Sequence, residues 1–563
     1  MEPVYYVVNA PSHLRFTRTL HVGKRSVATT KDDRDSNDHK GDEPPAPVGT
    51  DRQEPRRGRH DARHGHPWVR RYLDLRRTIR LDGAPKGTRI LVLGAGMAGL
   101  VAAFELRNAG YHVQVLEYDD RAGGRAWTVR GGDRYTELGG ATQDCDFADG
   151  LYLNPGPWRI PYHHQGVLDY AKRLKVPLEP FIQVNYNAYL HSTEAFGGRP
   201  QRFRAVQTDY QGYIAELLSK AIRKNALDDA LSVEDAHLLL ESLRQWGALG
   251  QDGSYQAGRR SSERRGFATA HGGGLMPSAV PSDLLPRDPL LASSLWQWLS
   301  SGNEQDFQST IFQPVGGMDR IAHALYSQVA SAVVFNAKVT AILQDEQGVT
   351  VRYTDTTTRA ERNAHADWLV CTIPLSILSQ IDLAVGQDLR AAIDAVPYET
   401  SVKVGLQFGR RFWEEDEQIY GGITHTDLPI STIGYPATGY GSTGPAVLLG
   451  AYMWGPASYE MGALPPAERI AVALSQGSQI HPQYAREYQT GFAMSWSRSP
   501  FTNGCFAAWT DALREAHYAN LCQIDGRIVL AGEHASHIPA WQEGAVLSSL
   551  DAITRLHRRI VNG

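Results

Sequence analysis

The sequence predicts a mixed α/β protein with more than one domain. A short apolar run, a glycine-rich turn and a helical pattern follow one another over residues 89–117, as in a strand and crossover helix of a parallel sheet. A second apolar strand and helical pattern lie near the C-terminus, over residues 527–553. Between them, residues 213–227 and 233–249 repeat apolar side chains at intervals of three and four. A chain of 563 residues is also too long for one core of ordinary size.

Charge and cysteine usage argue against several classes of protein. The chain has 57 Lys and Arg against 61 Asp and Glu, so nothing in its net charge favours a nucleic acid or an anionic membrane as partner. No apolar run approaches the roughly 20 residues of a membrane span. The cysteines are far apart without CxxC spacing, which predicts neither a disulfide framework nor a zinc site and fits a reducing compartment. We therefore expect a cytoplasmic protein. The cysteines are Cys145, Cys371, Cys505 and Cys522.

The N-terminal part has a different composition. Residues 1–66 are rich in charge, Pro, Gly and His without a sustained apolar period, which predicts a disordered tail or extension. The cluster RRGRHDARHGH at 56–66 could bind a metal or a polyanion, but its histidines have no fixed scaffold, and a solvated tail is the simpler interpretation. Residues 67–84 are predicted to form an amphipathic helix that leads into the first domain.

The glycine-rich turn at 94–99 has the spacing of a dinucleotide-binding turn. Gly94 permits the tight turn, Gly96 lets the backbone approach a pyrophosphate, and Gly99 lets the following helix pack closely on its strand. Glu117 ends the second strand, where a carboxylate can accept both hydroxyls of an adenosine ribose, which argues against NADP. This unit alone leaves NAD and FAD open.

The next segment, YDDRAGGRAWTV at 118–129, separates the two cofactors. Gly123 and Gly124 allow another close backbone approach, and Arg125 follows them to contact phosphate. With these residues the sequence resembles the flavin amine oxidase superfamily, in which a second glycine pair and an arginine follow the ribose-binding acid. The resemblance implies FAD as cofactor.

Three later segments extend the resemblance. FQPVGGMDRIAHAL at 312–325 resembles the family's GGM segment ahead of a helix, and residues 333–353 read as paired strands, where the resemblance places Val339 against adenine through its backbone. In residues 527–553 it places Glu533 at the ribityl chain of the flavin. It implies a discontinuous, Rossmann-like FAD-binding domain of GR2 type, a substrate-binding domain on a mixed β-sheet, and a helical insertion like that of L-amino acid oxidases. The predicted boundaries are 85–150, 305–390 and 510–563 for the FAD-binding domain, 151–199 and 391–509 for the substrate-binding domain, and 200–304 for the helical domain.

The stretch GPWRIPYHH at 156–164 resembles the L-amino acid oxidase loop whose arginine receives the substrate carboxylate. This assigns the carboxylate to Arg159 and places Trp158 beside the flavin. A guanidinium matches a carboxylate through two parallel hydrogen bonds and stays charged at every relevant pH. An arginine paired with a structural Asp is the alternative. His163 and His164 are given no role, because adjacent side chains seldom point into the same site, and no metal site is predicted.

Aromatic residues complete the predicted pocket. The resemblance gives the Tyr452 hydroxyl to the same carboxylate, makes Trp496 an aromatic wall near the flavin, and gives the Ala540 carbonyl to the substrate ammonium. Trp541 would close the pocket and, with Arg159, border the flavin. Each aromatic taken singly is equally well explained by core packing.

Lys403 lies in SVKVGLQFGRRFWEED at 401–416. It matches an amine oxidase lysine that holds a water near flavin N5, where it would help hydrolyse the imine or activate oxygen. A lysine that alternates with Val402 and Val404 on a strand could also face solvent.

The resemblance implies FAD-dependent oxidative deamination of L-amino acids. Hydride passes from Cα to flavin N5, water converts the imino acid to a 2-oxo acid and ammonia, and dioxygen is reduced to hydrogen peroxide. The predicted catalytic residues are Arg159, Tyr452, Lys403 and Trp541. Three alternatives stay open: an amino-acid 2-monooxygenase that releases an amide and carbon dioxide, an amine or polyamine oxidase, and a nucleotide-binding protein without catalysis.

The preferred substrate side chain is left open. An aromatic pocket favours large apolar or aromatic amino acids, whereas Glu543 would select a basic one if it faced inward. We expect a homodimer or higher homo-oligomer, because symmetric dimers are the commonest assembly.

Overall fold

A computed structural model of the protein describes residues 81–227 and 231–563. The predicted tail at 1–66 lies outside these residues, as does the predicted helix at 67–84 except for its last four positions. Those four positions are not helical: they form a turn at Asp82 and Gly83, because the turn-forming Asp-Gly pair is followed by Pro85 two residues later. The prediction of helix was wrong there.

Within the described chain, six strands form one sheet that joins distant parts of the sequence. Neighbouring strands are parallel except for the last pair, which is antiparallel. The central strand is buried over its last four residues, as its apolar run predicts. In order across the sheet, the strands are Val333–Val334, His112–Leu116, Arg89–Leu93, Trp368–Cys371, Ile528–Leu530 and Ile524–Asp525.

Packed layers cover both faces of this sheet. On one face, helices Met97–Asn108, Arg320–Val329 and Gln542–Asn562 pack together. The Ser549 hydroxyl donates to the Ala98 carbonyl (2.8 Å), so the C-terminal helix is fixed to the helix that follows the glycine turn. On the other face lies a sheet of four strands, in the order Glu361–Ala366, Val349–Asp355, Ala337–Gln344 and Asp382–Leu383.

A second large sheet carries the residues predicted to bind substrate. Its neighbours are antiparallel except for one parallel pair, so it is mixed, as predicted. Strand Ser401–Phe408 is buried along its whole length, and its pairing with Ala446–Trp454 sets Lys403 opposite Tyr452. In order, the seven strands found in the described chain are Gln201–Arg202, Tyr189–His191, Ile423–Thr426, Thr432–Gly434, Ala446–Trp454, Ser401–Phe408 and Tyr488–Ser495.

The segment predicted to be helical contains two long helices, Phe203–Arg223 and Val233–Trp246. They pack through an apolar cluster that includes Ala215, Ile222 and Leu243. The predicted periodicity at three and four therefore marks a buried stripe. The boundaries predicted for the three domains remain predictions.

Smaller elements complete the structure. No helix in residues 81–227 and 231–563 is long and apolar enough to cross a membrane. The other strands are Ile160–Pro161, Ile311–Pro314 and Leu178–Phe181, which form one sheet, and the pairs Tyr398–Glu399 with Phe506–Ala507, Val129–Arg130 with Tyr152–Leu153, and Arg134–Thr136 with Thr142–Asp144. The other helices are Gln165–Arg173, Arg259–Arg265, Arg287–Ala292, Leu375–Leu378, Gln387–Ala395, Phe412–Glu415, Gly455–Ala463, Pro466–Gly477, Tyr484–Glu487, Asp511–Leu513 and Ala519–Cys522, with short 3₁₀ turns at Phe196–Gly198, Leu295–Ser300, Gln305–Phe307, Ala330–Ala332, Trp496–Arg498 and Glu533–Ala535, and a π turn at Arg514–Tyr518.

Candidate active site

A cavity of about 1570 Å³ is lined by residues from both large sheets. Most residues predicted from the sequence to contact cofactor or substrate lie on its wall, although they come from distant parts of the chain. Gly99 and Lys403 do not line it. The predicted residues on the wall are Gly94, Gly96, Glu117, Gly124, Arg125, Trp158, Arg159, Val339, Tyr452, Trp496, Glu533, Ala540 and Trp541.

The glycine turn has the geometry that its spacing predicts. Gly94 has a φ of 97°, in the left-handed region that favours glycine. A Cβ at Gly99 would lie 1.9 Å from the Gly94 carbonyl oxygen, so no side chain fits between helix and strand. A Cβ at Gly96 would meet nothing within 4 Å. Gly96 begins helix Met97–Asn108 and lies on the cavity wall, so a phosphate has room to approach the backbone there.

The second glycine pair closes over the first. The Gly123 amide donates to the Ala95 carbonyl (2.8 Å), and a Cβ at Gly124 would lie 3.3 Å from the Gly96 Cα. Glycines on both segments thus let two backbones pass close together at the cavity wall.

Glu117 lies beside this turn, at the end of strand His112–Leu116. Its carboxylate accepts hydrogen bonds from the Ala95 amide (2.5 Å) and the Asp119 amide (2.8 Å). Burial raises the pKa of this carboxyl, while these backbone donors oppose the rise. Each oxygen has a second lone pair, so the carboxylate can still accept ribose hydroxyls.

Arg125 and Glu533 form an ion pair that the sequence did not reveal. Arg125 Nη1 lies 2.7 Å from Glu533 Oε1 and also donates to the Cys505 carbonyl (2.7 Å). Burial opposes the charge of Arg125, but the carboxylate outweighs it and raises the pKa of the guanidinium. The two residues predicted to bind different parts of the cofactor therefore orient each other.

Val339 lies where the pairing of two strands is irregular. The register between strands Ala337–Gln344 and Val349–Asp355 shifts between Val339 and Ala341. Such a bulge disrupts the hydrogen-bond ladder locally and frees backbone groups. Because Val339 also lines the cavity, this geometry fits the predicted backbone contact with adenine.

Arg159 has no acidic partner in the described chain. Its Nε is buried without a hydrogen-bond partner, and its guanidinium carbon lies over the rings of Phe307 (4.6 Å) and Trp158 (5.3 Å). Burial lowers the pKa of Arg159 to about 10, while Tyr452 and Asp306 act in the opposite direction. The side chain therefore remains a cation at neutral pH and is available to an anion that enters the cavity.

Phe307 was not recognised from the sequence. It ends the short turn Gln305–Phe307, which follows the helical segment and has no sequence signature of its own. Its ring and that of Trp541 lie on the same wall, 6.3 Å apart. Only the fold brings this turn to Arg159.

Tyr452 and Trp158 also line the pocket. Their rings meet edge to face at 5.7 Å. Burial raises the pKa of Tyr452, so its hydroxyl stays protonated and can donate a hydrogen bond. Trp496 is 2% exposed, and its indole donates to the Pro155 carbonyl (2.8 Å). That bond fixes the loop that presents Trp158 and Arg159.

Ala540 and Trp541 precede helix Gln542–Asn562. Ala540 has a φ of 68°, a left-handed conformation that non-glycine residues seldom adopt and that is enriched at functional sites. The Trp541 ring meets His164 edge to face at 4.9 Å and lies 5.9 Å from the Arg159 guanidinium carbon.

Lys403 is buried behind the cavity wall. It is 1% exposed, and its ammonium donates to the carbonyls of Gly156 (2.5 Å) and Asn154 (3.2 Å). Burial lowers the pKa of Lys403 to about 7; Arg159 lowers it further, whereas Cys505 opposes the shift. The possibility of a solvent-facing lysine is therefore excluded, because both faces of its strand are covered.

One expectation about neighbouring residues was wrong, and one open possibility is excluded. His163 and His164 do not point apart: both reach Asp306, because the chain turns there before helix Gln165–Arg173. Glu543 does not face the pocket. Its two oxygens accept the amides of Gly166 and Val167 (both 2.8 Å), so it satisfies free amides at the start of that helix.

Comparisons with known proteins agree with this geometry. The model of a family described as flavin containing amine oxidoreductase matches residues 97–556. The chain belongs to this family. The Bacillus subtilis (strain 168) protein YobN is 30% identical over 499 residues, which cover 86% of this chain and 98% of that protein. An L-amino-acid oxidase of Siganus canaliculatus is 28% identical over 498 residues, which cover 87% and 89%. Cyclohexylamine oxidase from Brevibacterium oxydans IH-35A has a similar structure, with a TM-score of 0.55 at 16% identity over 85% of this chain and all of that one.

Family membership makes the protein a flavin-dependent oxidoreductase with FAD as cofactor. The cavity fits this group, because its lining combines open space in front of Gly96, the Glu117 carboxylate predicted to bind ribose and the Arg125–Glu533 pair. The mixed α/β fold class is likewise confirmed.

Proposed function

We propose that the protein catalyses oxidative deamination of L-amino acids to 2-oxo acids, with release of ammonia and hydrogen peroxide. The observation that carries this proposal is Arg159: a half-buried cation, on the wall of the cofactor cavity, without an acidic partner in residues 81–227 and 231–563. An unpaired buried charge is costly unless a ligand neutralises it. A carboxylate is the ligand that a guanidinium binds best.

The acidic residue that could pair with Arg159, Asp306, is hydrogen-bonded to another side chain. Asp306 acts electrostatically on Arg159 but accepts its close hydrogen bond from His163 (2.8 Å). The alternative of a structural Arg–Asp pair is thus not what the structure has. An amine substrate without a carboxylate would leave Arg159 uncompensated.

The surrounding residues suit an α-amino acid. Once Arg159 binds the carboxylate, the Tyr452 hydroxyl can donate to the same group, and the rings of Trp541 and Trp496 limit where the side chain lies. The Ala540 carbonyl is our candidate acceptor for the ammonium. FAD, when bound, accepts the hydride from the substrate Cα. The residues of the chain hold the substrate carboxylate and ammonium, so that the Cα hydrogen is directed towards the bound flavin.

We propose that Lys403 acts on the loop in front of it. Its bonds to the Gly156 and Asn154 carbonyls fix the backbone just before Trp158 and Arg159. A lysine with a pKa near 7 can also exchange a proton at physiological pH, which suits the predicted role beside a water in imine hydrolysis or oxygen reduction.

The test is anaerobic mixing of the FAD-loaded protein with each common amino acid in both enantiomers, followed by flavin absorbance. We expect a set of L-amino acids to bleach the flavin. Arg159→Ala should lower the second-order rate constant for flavin reduction by about 100-fold or more. The matched control is Arg514→Ala. The Arg514 guanidinium carbon lies 5.3 Å from the Trp509 ring, the same distance as between Arg159 and the Trp158 ring. Arg514 does not line the cavity. The control should reduce as the unmodified protein does.

Other outcomes would favour the alternative reactions. Bleaching by simple amines, unchanged in Arg159→Ala, would indicate an amine oxidase. Carbon dioxide and an amide among the aerobic products would indicate a 2-monooxygenase. Bound FAD that no amine or amino acid reduces would overturn the catalytic proposal altogether.

A further inference from the structure

Two histidines and an aspartate meet beside the pocket. His163 Nε2 lies 2.8 Å from Asp306 Oδ1, and His164 Nε2 lies 3.7 Å from the same oxygen. One ligand atom from each of the three residues lies within 4.8 Å of the other two. The histidines are adjacent in sequence, whereas Asp306 is more than 140 positions away and belongs to the turn Gln305–Phe307.

The hydrogen bonding of this cluster is incomplete. His164 is 2% exposed, yet its Nε2 lacks a hydrogen-bond partner in the part of the chain that the structure describes. The Nδ1 of His163 is also buried and unpaired there. A buried ring nitrogen without a partner is rare, because its desolvation is not compensated. The His164 Nε2 instead lies 3.7 Å from Asp306 Oδ1, so a cation could lie between the two atoms.

We propose that His163, His164 and Asp306 form a binding site for a divalent transition metal of the Zn²⁺ type. Two imidazoles and one carboxylate are a common three-residue set for zinc, with a fourth position left for water or an anion. Zinc bonds of about 2.0–2.2 Å in a tetrahedral arrangement place ligand atoms roughly 3.3–3.5 Å apart. The separations of the two histidine Nε2 atoms from Asp306 Oδ1 in the structure, 2.8 and 3.7 Å, lie on either side of that value.

The surroundings decide which ions can bind. Asp306 lies close to both histidines, so its carboxylate completes the set of two nitrogen ligands and one oxygen ligand. Glu304 lines the same cavity, and Arg159 interacts electrostatically with Asp306. Nitrogen ligands favour Zn²⁺, Co²⁺ and Ni²⁺ over Mg²⁺ and Ca²⁺, which prefer oxygen.

A metal ion can reach the cluster from the cavity, and its binding would affect the pocket wall. His164 and Asp306 both line the cavity, so the cluster is reachable from it. A metal held there would join the Arg159 loop to the turn that carries Phe307, whose ring lies 4.6 Å from the Arg159 guanidinium carbon. Binding would therefore fix one wall of the pocket.

The experiment is equilibrium dialysis of the FAD-loaded full chain against Zn²⁺, with bound metal measured by elemental analysis. Any metal bound by the histidines of residues 1–66 would be the same in every variant, so the quantity compared is the difference in bound metal between the variants and the unmodified protein. His163→Asn and Asp306→Asn should each lose one Zn²⁺ per chain or bind it at least tenfold more weakly. His323→Ala is the matched control, because His323 also approaches an aspartate (3.7 Å from Asp319), but the described residues offer no third ligand there.

A second readout separates this site from the tail. The proposed ligands come together only in the folded protein, so Zn²⁺ should raise the unfolding temperature of the unmodified protein and of His323→Ala but not of the two site variants. FAD content and circular dichroism of the variants show whether they fold. Identical titration curves and identical shifts in all four proteins, or equal displacement of the ion by Mg²⁺, would overturn the proposal whatever the outcome of the activity tests.

Discussion

At the scale of single residues, Lys403 shows how little strand alternation reveals inside a large protein. Its alternation with Val402 and Val404 left a solvent-facing lysine open as an alternative, yet the whole strand Ser401–Phe408 is buried. Helices and loops cover both faces of the strand, so a period of two carries no information about exposure there. The sequence shows that residue 403 is a lysine, but only the fold shows that it is buried.

Lys403 also gives a prediction about stability and pH. Its folded pKa of about 7 is below the value of 10.5 expected in an unfolded chain, so the unfolded state binds the extra proton between these values. Stability therefore rises as pH increases from about 7 towards 10.5, and the cost of burying the charge is fully present below pH 7. Lys403→Met removes this dependence. Unfolding temperatures between pH 6 and 10 should rise less with pH in the variant than in the unmodified protein.

The control for this prediction is Lys172→Met, on the exposed side of helix Gln165–Arg173. This variant should follow the unmodified protein at every pH. If Lys403→Met followed it as well, Lys403 would titrate normally in the folded protein, and its proposed proton exchange near neutral pH would lose its physical basis.

At the scale of elements, the glycine turn was the best predicted part of the site. Its strand, turn and helix are consecutive in sequence, and each glycine answers a local steric demand. The Arg125–Glu533 ion pair could not be predicted in this way, since 408 positions separate the two residues. The cluster at Asp306 was missed for the same reason, as were the backbone bonds of Glu543.

The different positions of Gly96 and Gly99 predict two different defects. Gly99→Ala places a methyl group 1.9 Å from the Gly94 carbonyl oxygen, so the helix must move and the apoprotein should unfold several degrees lower. Gly96→Ala meets only open space in the protein and points into the cavity. It should lower FAD retention at least tenfold with little change in apoprotein stability. FAD content and unfolding temperature are the measurements.

Gly273→Ala provides the comparison for both variants. Gly273 also has open space around its Cβ position, but it lies in a loop away from the cavity wall, so both measured values should stay unchanged. Normal FAD binding by Gly96→Ala would show that the cofactor does not approach the backbone at this turn.

At the scale of the whole molecule, one buried ion pair connects regions that the sequence keeps far apart. Glu137, just after strand Arg134–Thr136, pairs with Arg469 of helix Pro466–Gly477, and each side chain is 1% exposed. Arg469 also donates to the carbonyls of Met461 (3.1 Å) and Gly462 (2.9 Å). The pair thus joins the strands that follow the glycine turns to a helix packed on the seven-stranded sheet.

Removal of one partner should cost far more than removal of both. Arg469→Met leaves the buried Glu137 carboxylate with only the more distant Arg498 Nε (4.0 Å) as a partner. Breaking a buried pair in this way destabilises a protein by up to about 3–5 kcal/mol, whereas replacing both partners by apolar side chains is often close to neutral. We therefore expect Arg469→Met to unfold several degrees lower and the double variant Glu137→Leu with Arg469→Met to recover much of the loss.

Arg134→Met serves as control, because Arg134 and Asp144 form an exposed pair (68% and 61% exposed) that contributes little to stability. If the loss of stability in the double variant equalled the sum of the losses in Glu137→Leu and Arg469→Met, the two charges would act independently. The connection between the two regions would then rest on apolar packing alone.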